Sequence, residues 1–324
     1  MRTSRAARYS PSIGRWIVRG LFFLLLAFAL IFLFGELLRR RDYRQHFSDL
    51  RSTLVTFEEQ HIETENGHDI LAVRLTDDRG LAVDGYLKTP TGEIEPRLAF
   101  LILGGVRTGR KTIDYLDSIQ GVVLLALDYP YAGKKSGLSI PEFLLALPSM
   151  REAIIRTVPA AMLGVDYLLQ RPDVDPERII LAGGSFGAMF APAVGATDKR
   201  IAGVVVLFGA GDIQSLIRLN LDYPAMISIP AGWLGAVLTA PVEPLAFVGE
   251  ISPRPVFMLN GKNDPAMPER YSRLLHDAAR EPKTVRWIDT GHVTISSTEF
   301  HQLVIAELTQ WLEAEGLIAS TISE

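Results

Sequence analysis

The chain has 324 residues, 48% of them hydrophobic, a formal charge of −4 and no cysteine. That is enough apolar side chain for one large core. Without cysteine there is no thiol catalysis, disulfide or cysteine-ligated zinc, and without a basic excess nucleic acid is not an expected partner.

Residues 1–19 carry Arg2, Arg5, Arg8, Arg15 and Arg19 and no acid. From 20 to 38 the chain is almost wholly Leu, Phe, Ala and Ile, broken only by Glu36, and Arg39, Arg40, Arg41 and Arg44 close the run. The uncharged part, Gly20 to Gly35, covers about 24 Å as a helix, short of the ~30 Å hydrocarbon core, and the flanking arginines can snorkel to lengthen it. No small-x-small cleavage site follows the run, so an uncleaved anchor is expected. The chain then divides into a basic tail (1–19), a single-pass transmembrane anchor (20–38), a polar juxtamembrane linker or helix (39–53) and a globular domain (54–324). Both flanks are arginine-rich. The acid-free tail is the better cytoplasmic side, which puts the main domain outside.

In the domain, residues 55–63, 69–76 and 81–89 read as strands, with Asn66-Gly67 and Asp77 to Gly80 as turns between them. Unbroken apolar runs follow at 98–103, 122–127, 179–182, 204–208 and 256–259, and a short strand at 284–288. Continuous apolar strands imply burial on both faces. Helices are expected at 158–170 and 298–315. The pattern is α/β: a doubly wound, mostly parallel sheet following an N-terminal transmembrane helix. Ligands of such sheets bind beyond the carboxyl ends of the strands, which directs attention to the residues after each run.

After Ile179 to Ala182 comes Gly183-Gly184-Ser185-Phe186-Gly187. It fits Gly-x-Ser-x-Gly, in which a sharp strand-to-helix turn exposes a serine hydroxyl above the sheet. A serine needs an adjacent base. Of the six histidines, His292 follows Asp289-Thr290-Gly291 on a loop at a strand end, where a base can project. The base needs a carboxylate. Asp264, in the turn Gly261-Lys262-Asn263-Asp264-Pro265, is the first candidate, with Asp289 and Asp212 behind it. An oxyanion would take one backbone donor from Phe186 and a second from Gly105 or Val106.

These residues resemble the α/β-hydrolase superfamily over about 54–315. Leu169 to Ile179 leading into Gly183 to Gly187, Pro253-Arg254-Pro255-Val256 leading to Gly261-x-x-Asp264, and Gly291-His292 are similar to the dienelactone hydrolase, acetyl-xylan esterase and prolyl-peptidase-like branches. The resemblance implies a serine hydrolase acting on a small-molecule acyl substrate through an acyl-enzyme. No cofactor and no metal are implied. Ser185 is assigned as nucleophile, His292 as base and Asp264 as orienting acid. A serine peptidase, an acyltransferase or a non-catalytic binding protein of the same fold are the alternatives.

The sequence departs from those branches at three places. Leu103-Gly104 stands where many relatives have His-Gly, Ala188 replaces a frequent glycine, and Pro192 is expected to kink the helix after the serine. Two insertions are expected to shape the substrate site. The first, 133–157, carries Lys134, Lys135, Arg151 and Arg156 among leucines. The second, 212–245, is an apolar cap with Trp233, readable as a lid over an acyl pocket or as a plain helical cap. Tyr129, Arg107 and Trp233 are the candidate substrate contacts, and Arg107, Arg110 and Lys111 could bind an anionic group.

Overall fold

A computed structural model describes residues 11–116, 121–134, 136–221, 223–293 and 297–319. The chain divides between Arg41 and Asp42 into two units. In the first, α1 (Pro11–Arg39) begins well before the expected anchor and takes in Arg15 and Arg19. Its stretch Gly14–Arg39, whose most apolar 18 residues have a mean hydropathy of 2.7, is 26 residues long. At ~1.5 Å per residue it exceeds the ~30 Å a membrane helix must cross.

The second unit begins twelve residues before the expected boundary at 54. Its first helix, α2 (Arg44–Leu50), lies within the stretch read as a juxtamembrane linker or helix. Phe47 is fully buried, with its ring 6.0 Å from that of Phe247, and Tyr43 is 3% exposed. Tyr43 and Phe47 are four residues apart, so both reach the same side of the chain and tie it to the core.

The sheet is then built in chain order. Strands β1 (Leu54–Glu65), β2 (His68–Asp77) and β3 (Ala82–Pro90) form an antiparallel meander. Strands β4 (Arg97–Leu103) and β5 (Val123–Leu127) precede a long helix, α3 (Ile140–Leu168). Next come β6 (Val174–Gly184), α4 (Ala191–Thr197) and β7 (Gly203–Leu207). The cap follows as α5 (Ile213–Asn220), α6 (Ala225–Thr239) and the short α7 (Pro244–Phe247). The domain closes with β8 (Val256–Gly261), α8 (Glu269–Ala278), β9 (Lys283–Ile288) and α9 (Thr298–Ala314). The order across the sheet is β1-β2-β3-β5-β4-β6-β7-β8-β9, parallel from β5 to β9.

Alternation along the parallel strands sorts the core into two halves. Ala99, Leu101, Leu103, Val123, Leu125, Ile179, Leu181 and Val204 face one way, into a core shared with α3, α4 and α8. Phe100, Ile102, Leu124, Ile180, Ala182, Val205 and Phe257 face the other way. That second face is covered by α9 and by a single 3-10 turn, Gly109–Tyr115, in the β4–β5 connection. The connection carries no longer helix among the described residues, so this face is thinly covered.

Two expectations are corrected. Residues 140–157, read as an insertion, are the first half of α3; Pro148 and Pro159 interrupt the sequence pattern but not the helix. Ser139 starts it, with its N–H donating to the Glu142 carboxylate at 2.7 Å, a capping box that satisfies the exposed end. Pro192 does not kink a helix. The chain after Ser185 forms a 3-10 turn to Met189, and Pro192 sits in the first turn of α4, where a missing N–H costs nothing.

The buried Phe47 makes α2 part of the cooperative unit. Phe47→Ala should lower its stability by about 3 kcal/mol. Urea titration of the purified chain, followed by tryptophan fluorescence, checks this; an unchanged midpoint would put α2 outside the folded domain.

Candidate active site

Strand β6 ends at Gly184, and Ser185 follows with φ of 53°, the left-handed region that L-residues avoid. The turn is held because the helical segment after it presses against β4. A Cβ at Gly187 would overlap the Leu103 carbonyl, so only glycine lets the two backbones approach this closely.

His292 and Asp264 come from two neighbouring loops that are laced together. Lys262 donates its N–H to Ile288 O at 2.9 Å and Asn263 to Thr290 O at 3.0 Å, extending the β8–β9 pairing past the strand ends. Gly261 makes the approach possible, since a Cβ there would lie 2.5 Å from Gly291 O. Asp289 is exposed and accepts from the Asn263 amide at 2.7 Å, bracing the same two loops. Asp212 instead caps α5, accepting from Ser215 N–H.

The three side chains meet above the carboxyl ends of the strands. Ser185 Oγ is 2.8 Å from His292 Nε2, and His292 Nδ1 is 2.7 Å from Asp264 Oδ2. The Asp264 side chain is fully buried, and its Oδ1 accepts the N–H groups of Ala266 and Met267 at 2.8 and 2.9 Å. Both carboxylate oxygens are therefore engaged, which holds the group in one orientation. Phe208, at the end of β7, closes the back of the imidazole: φ is 55°, and its ring stands edge-on to His292 at 5.9 Å. Sequence reading missed Phe208. The aromatic residue just before Gly209 at a strand end was the available signal.

The loop after β4 brings Gly104, Gly105, Val106 and Arg107 to the same place as Ser185 and Phe186. The Tyr129 hydroxyl donates to Gly104 O, and its ring packs at 5.0 Å from Phe186 and 5.4 Å from Phe190. Burial, with the Asp128 carboxylate adding to it, raises the phenol well above its usual range and keeps it a donor. Because N–H and C=O of one peptide point oppositely, pinning the Gly104 carbonyl also aims the Gly105 N–H.

A cavity of about 340 Å³ opens at Ser185 and His292 and runs down the thinly covered sheet face. Arg107 lines it; Tyr129 and Trp233 do not. Nor does any residue of the 212–245 cap. Of the two readings of this segment, its packing matches the plain helical cap: it continues the opposite core, through Ile213 and Leu216. Arg110, read as a possible anion ligand, is 3.3 Å from the Asp128 carboxylate and lies over the Tyr86 ring.

The strand that leads to the Asp264 loop has its own buried anchor. Asn260 donates to Gly209 O at 2.9 Å and to Ser272 Oγ at 3.0 Å. Its Oδ1 accepts from His276 Nε2 at 2.9 Å. His276 is 5% exposed, and burial, aided by Arg273 and Lys283 and opposed by Asp277, lowers its pKa to about 4.

No family model matches the chain. The uncharacterized protein YfhR of Escherichia coli is 24% identical over 148 residues, which is 44% of this chain and 48% of that protein. The chain thus matches about half the length of such curated relatives. An acetyl xylan esterase from a Paenibacillus species superposes with a TM-score of 0.64 at 18% identity, covering 86% of this chain and 93% of that one. The alpha/beta hydrolase GrgF of a Penicillium species gives 0.51 at 17%, covering 80% and 99%. The fold is that of the α/β-hydrolases.

The depressed His276 pKa carries a sign. The unfolded chain takes up this proton near the ordinary value of 6.5 and the folded chain only near 4, so protons favour unfolding in between. The contribution is full above about pH 6.5 and is lost as pH falls to about 4, by about 3 kcal/mol. Urea unfolding across that window should show the slope, and His276→Gln should flatten it.

Proposed function

We propose that this chain is a membrane-anchored serine hydrolase that cleaves a carboxylic ester through an acyl-enzyme. The observation carrying the reading is the linked set Ser185, His292 and Asp264, with both hydrogen bonds under 3 Å. The esterase names of fold neighbours agree with it.

The geometry supports the following course of reaction. Ser185 Oγ attacks the ester carbonyl carbon while His292 Nε2 takes its proton. The buried Asp264 carboxylate holds Nδ1–H and balances the imidazolium. The carbonyl oxygen becomes an oxyanion, for which the N–H groups of Phe186 and Gly105 or Val106 are the proposed donors. The carbon–oxygen bond to the alcohol breaks, and His292 returns the proton to that alcohol. Water then repeats the sequence, releasing the acid and restoring the serine. Ester plus water gives acid plus alcohol, with no net proton held by the protein.

Ser185→Ala should remove both ester turnover and labelling by a fluorophosphonate. Asp264→Asn should leave Ser185 in place and lower kcat by roughly 10⁴-fold. Labelling that persists in Ser185→Ala, at another serine, would sink the assignment.

The apolar stretch Gly14–Arg39 is the proposed anchor. The acid-free N-terminal tail favours a cytoplasmic N-terminus with the catalytic domain outside. A C-terminal alkaline phosphatase fusion, active only outside the cytoplasm, should be active; a fusion reporter that works only inside should be silent. The reverse pattern would overturn the orientation.

A further inference from the structure

The cavity below Ser185 has a shape and chemistry that the reaction alone does not require. Its floor is the second face of the sheet, with Phe100, Ile102, Leu124 and Val205. One wall is α9, through Phe300, Val304 and Leu308. Ala182, one strand residue before the glycine pair, is a small side chain in the row between Ile102 and Val205, and it leaves the passage open beneath the serine. On the opposite edge two threonines are turned on themselves, Thr112 Oγ1 lying 2.8 Å from Thr108 Oγ1 and 2.8 Å from Gly109 O, while Arg107, Tyr115 and His301 also line the cavity. Among the described residues, the β4–β5 connection covers this face with a 3-10 segment of seven residues.

Two independent walls set its depth. From Gly104 back to Phe100 along β4 is four residues, about 13 Å at ~3.3 Å each. From Phe300 to Leu308 along α9 is eight residues, about 12 Å at ~1.5 Å each. An extended hydrocarbon advances ~1.3 Å per C–C bond in its zigzag, so that depth admits chains of up to about ten carbons.

Resting on the serine-hydrolase reading above, we propose that this cavity holds the acyl chain, and that the substrates are esters of unbranched medium-chain acids of roughly eight to ten carbons. The acyl group is the half that stays bonded to Ser185 while the alcohol leaves and water enters. A pocket floored by buried strands suits the group that remains; the departing alcohol needs a way out. Each methylene moved from water into this hydrocarbon space stabilises the transition state by a factor of about 4.

The test uses the detergent-solubilised full chain and two series of esters. In the first, p-nitrophenyl esters run from acetate to dodecanoate. kcat/KM should rise by about fourfold per methylene to a maximum near octanoate or decanoate and then fall. Val304→Trp fills the middle of the α9 wall. It should move the maximum to shorter chains and cut decanoate turnover at least ~10-fold, with acetate within about threefold of the parent. Leu308→Ala deepens the far end and should move the maximum to longer chains, which decides the matter if Val304→Trp fails to fold. In the second series, acetate esters of lengthening alcohols should show little change.

A preference for acetate, a maximum that neither variant moves while acetate is still cleaved, or a length dependence confined to the alcohol would each overturn the acyl-chain proposal and leave the hydrolase standing. Absence of turnover for every ester together with no fluorophosphonate labelling of Ser185 would remove the hydrolase reading and this proposal with it.

Discussion

The structure turns on one close approach, that of the Gly187 backbone to the carbonyl of Leu103. It lets the chain after β6 fold back against β4, and it forces Ser185 into the left-handed region at the top of the sheet. A residue in such a conformation costs about 1–2 kcal/mol and persists only where its surroundings over-determine it. Here the surroundings are β4 and β7, hydrogen-bonded to either side of β6, with α4 behind. The serine hydroxyl is thereby presented where the carboxyl ends of the parallel strands converge.

The other two members of the set depend on a second close approach, at Gly261. It lets the β8 loop reach Thr290 and Gly291, so that Asp264 and His292 arrive within 2.7 Å of each other. Behind them, Asn260, Ser272 and His276 form a satisfied buried polar group that holds the end of β8. Buried polar networks of this kind are stable only when fully paired, so they specify one arrangement of the loop above them. The same alternation that buries both faces of the strands also separates two tasks. One face is fully packed by α3, α4 and α8. The other, crossed by a short turn and α9, keeps the cavity that reaches the serine.

Much of this was legible in the sequence because it is written in local pattern. The apolar runs at 98–103, 179–182 and 256–259 lie within β4, β6 and β8, since burial on both faces leaves no room for polar residues. Ser185, Asp264 and His292 stood out because each follows such a run, next to glycines that mark sharp turns. Local pattern misled where tertiary contact decides. Residues 140–157 read as part of an insertion, yet they form the first half of α3, which runs through Pro148 and Pro159 and is held by its packed second half. The polar stretch before residue 54 read as a linker or helix outside the domain, because nothing local shows that Phe47 meets Phe247, 200 residues later. Trp233 and Tyr129 looked like substrate contacts by type. One lies in a helix of the cap away from the cavity, and the other pins the Gly104 carbonyl.

The sequence by itself determined the class of fold, the apolar N-terminal helix and the order in which a nucleophile, an acid and a base could occur. These follow from periodicity, composition and turn chemistry, which act over a few residues. Only the tertiary structure decided which carboxylate faces the histidine, that the cap stands away from the cavity, and which face of the sheet is left hollow. Those outcomes depend on backbones meeting across dozens of residues, at Gly187 and Gly261, and on how much of a sheet face the connecting segments cover.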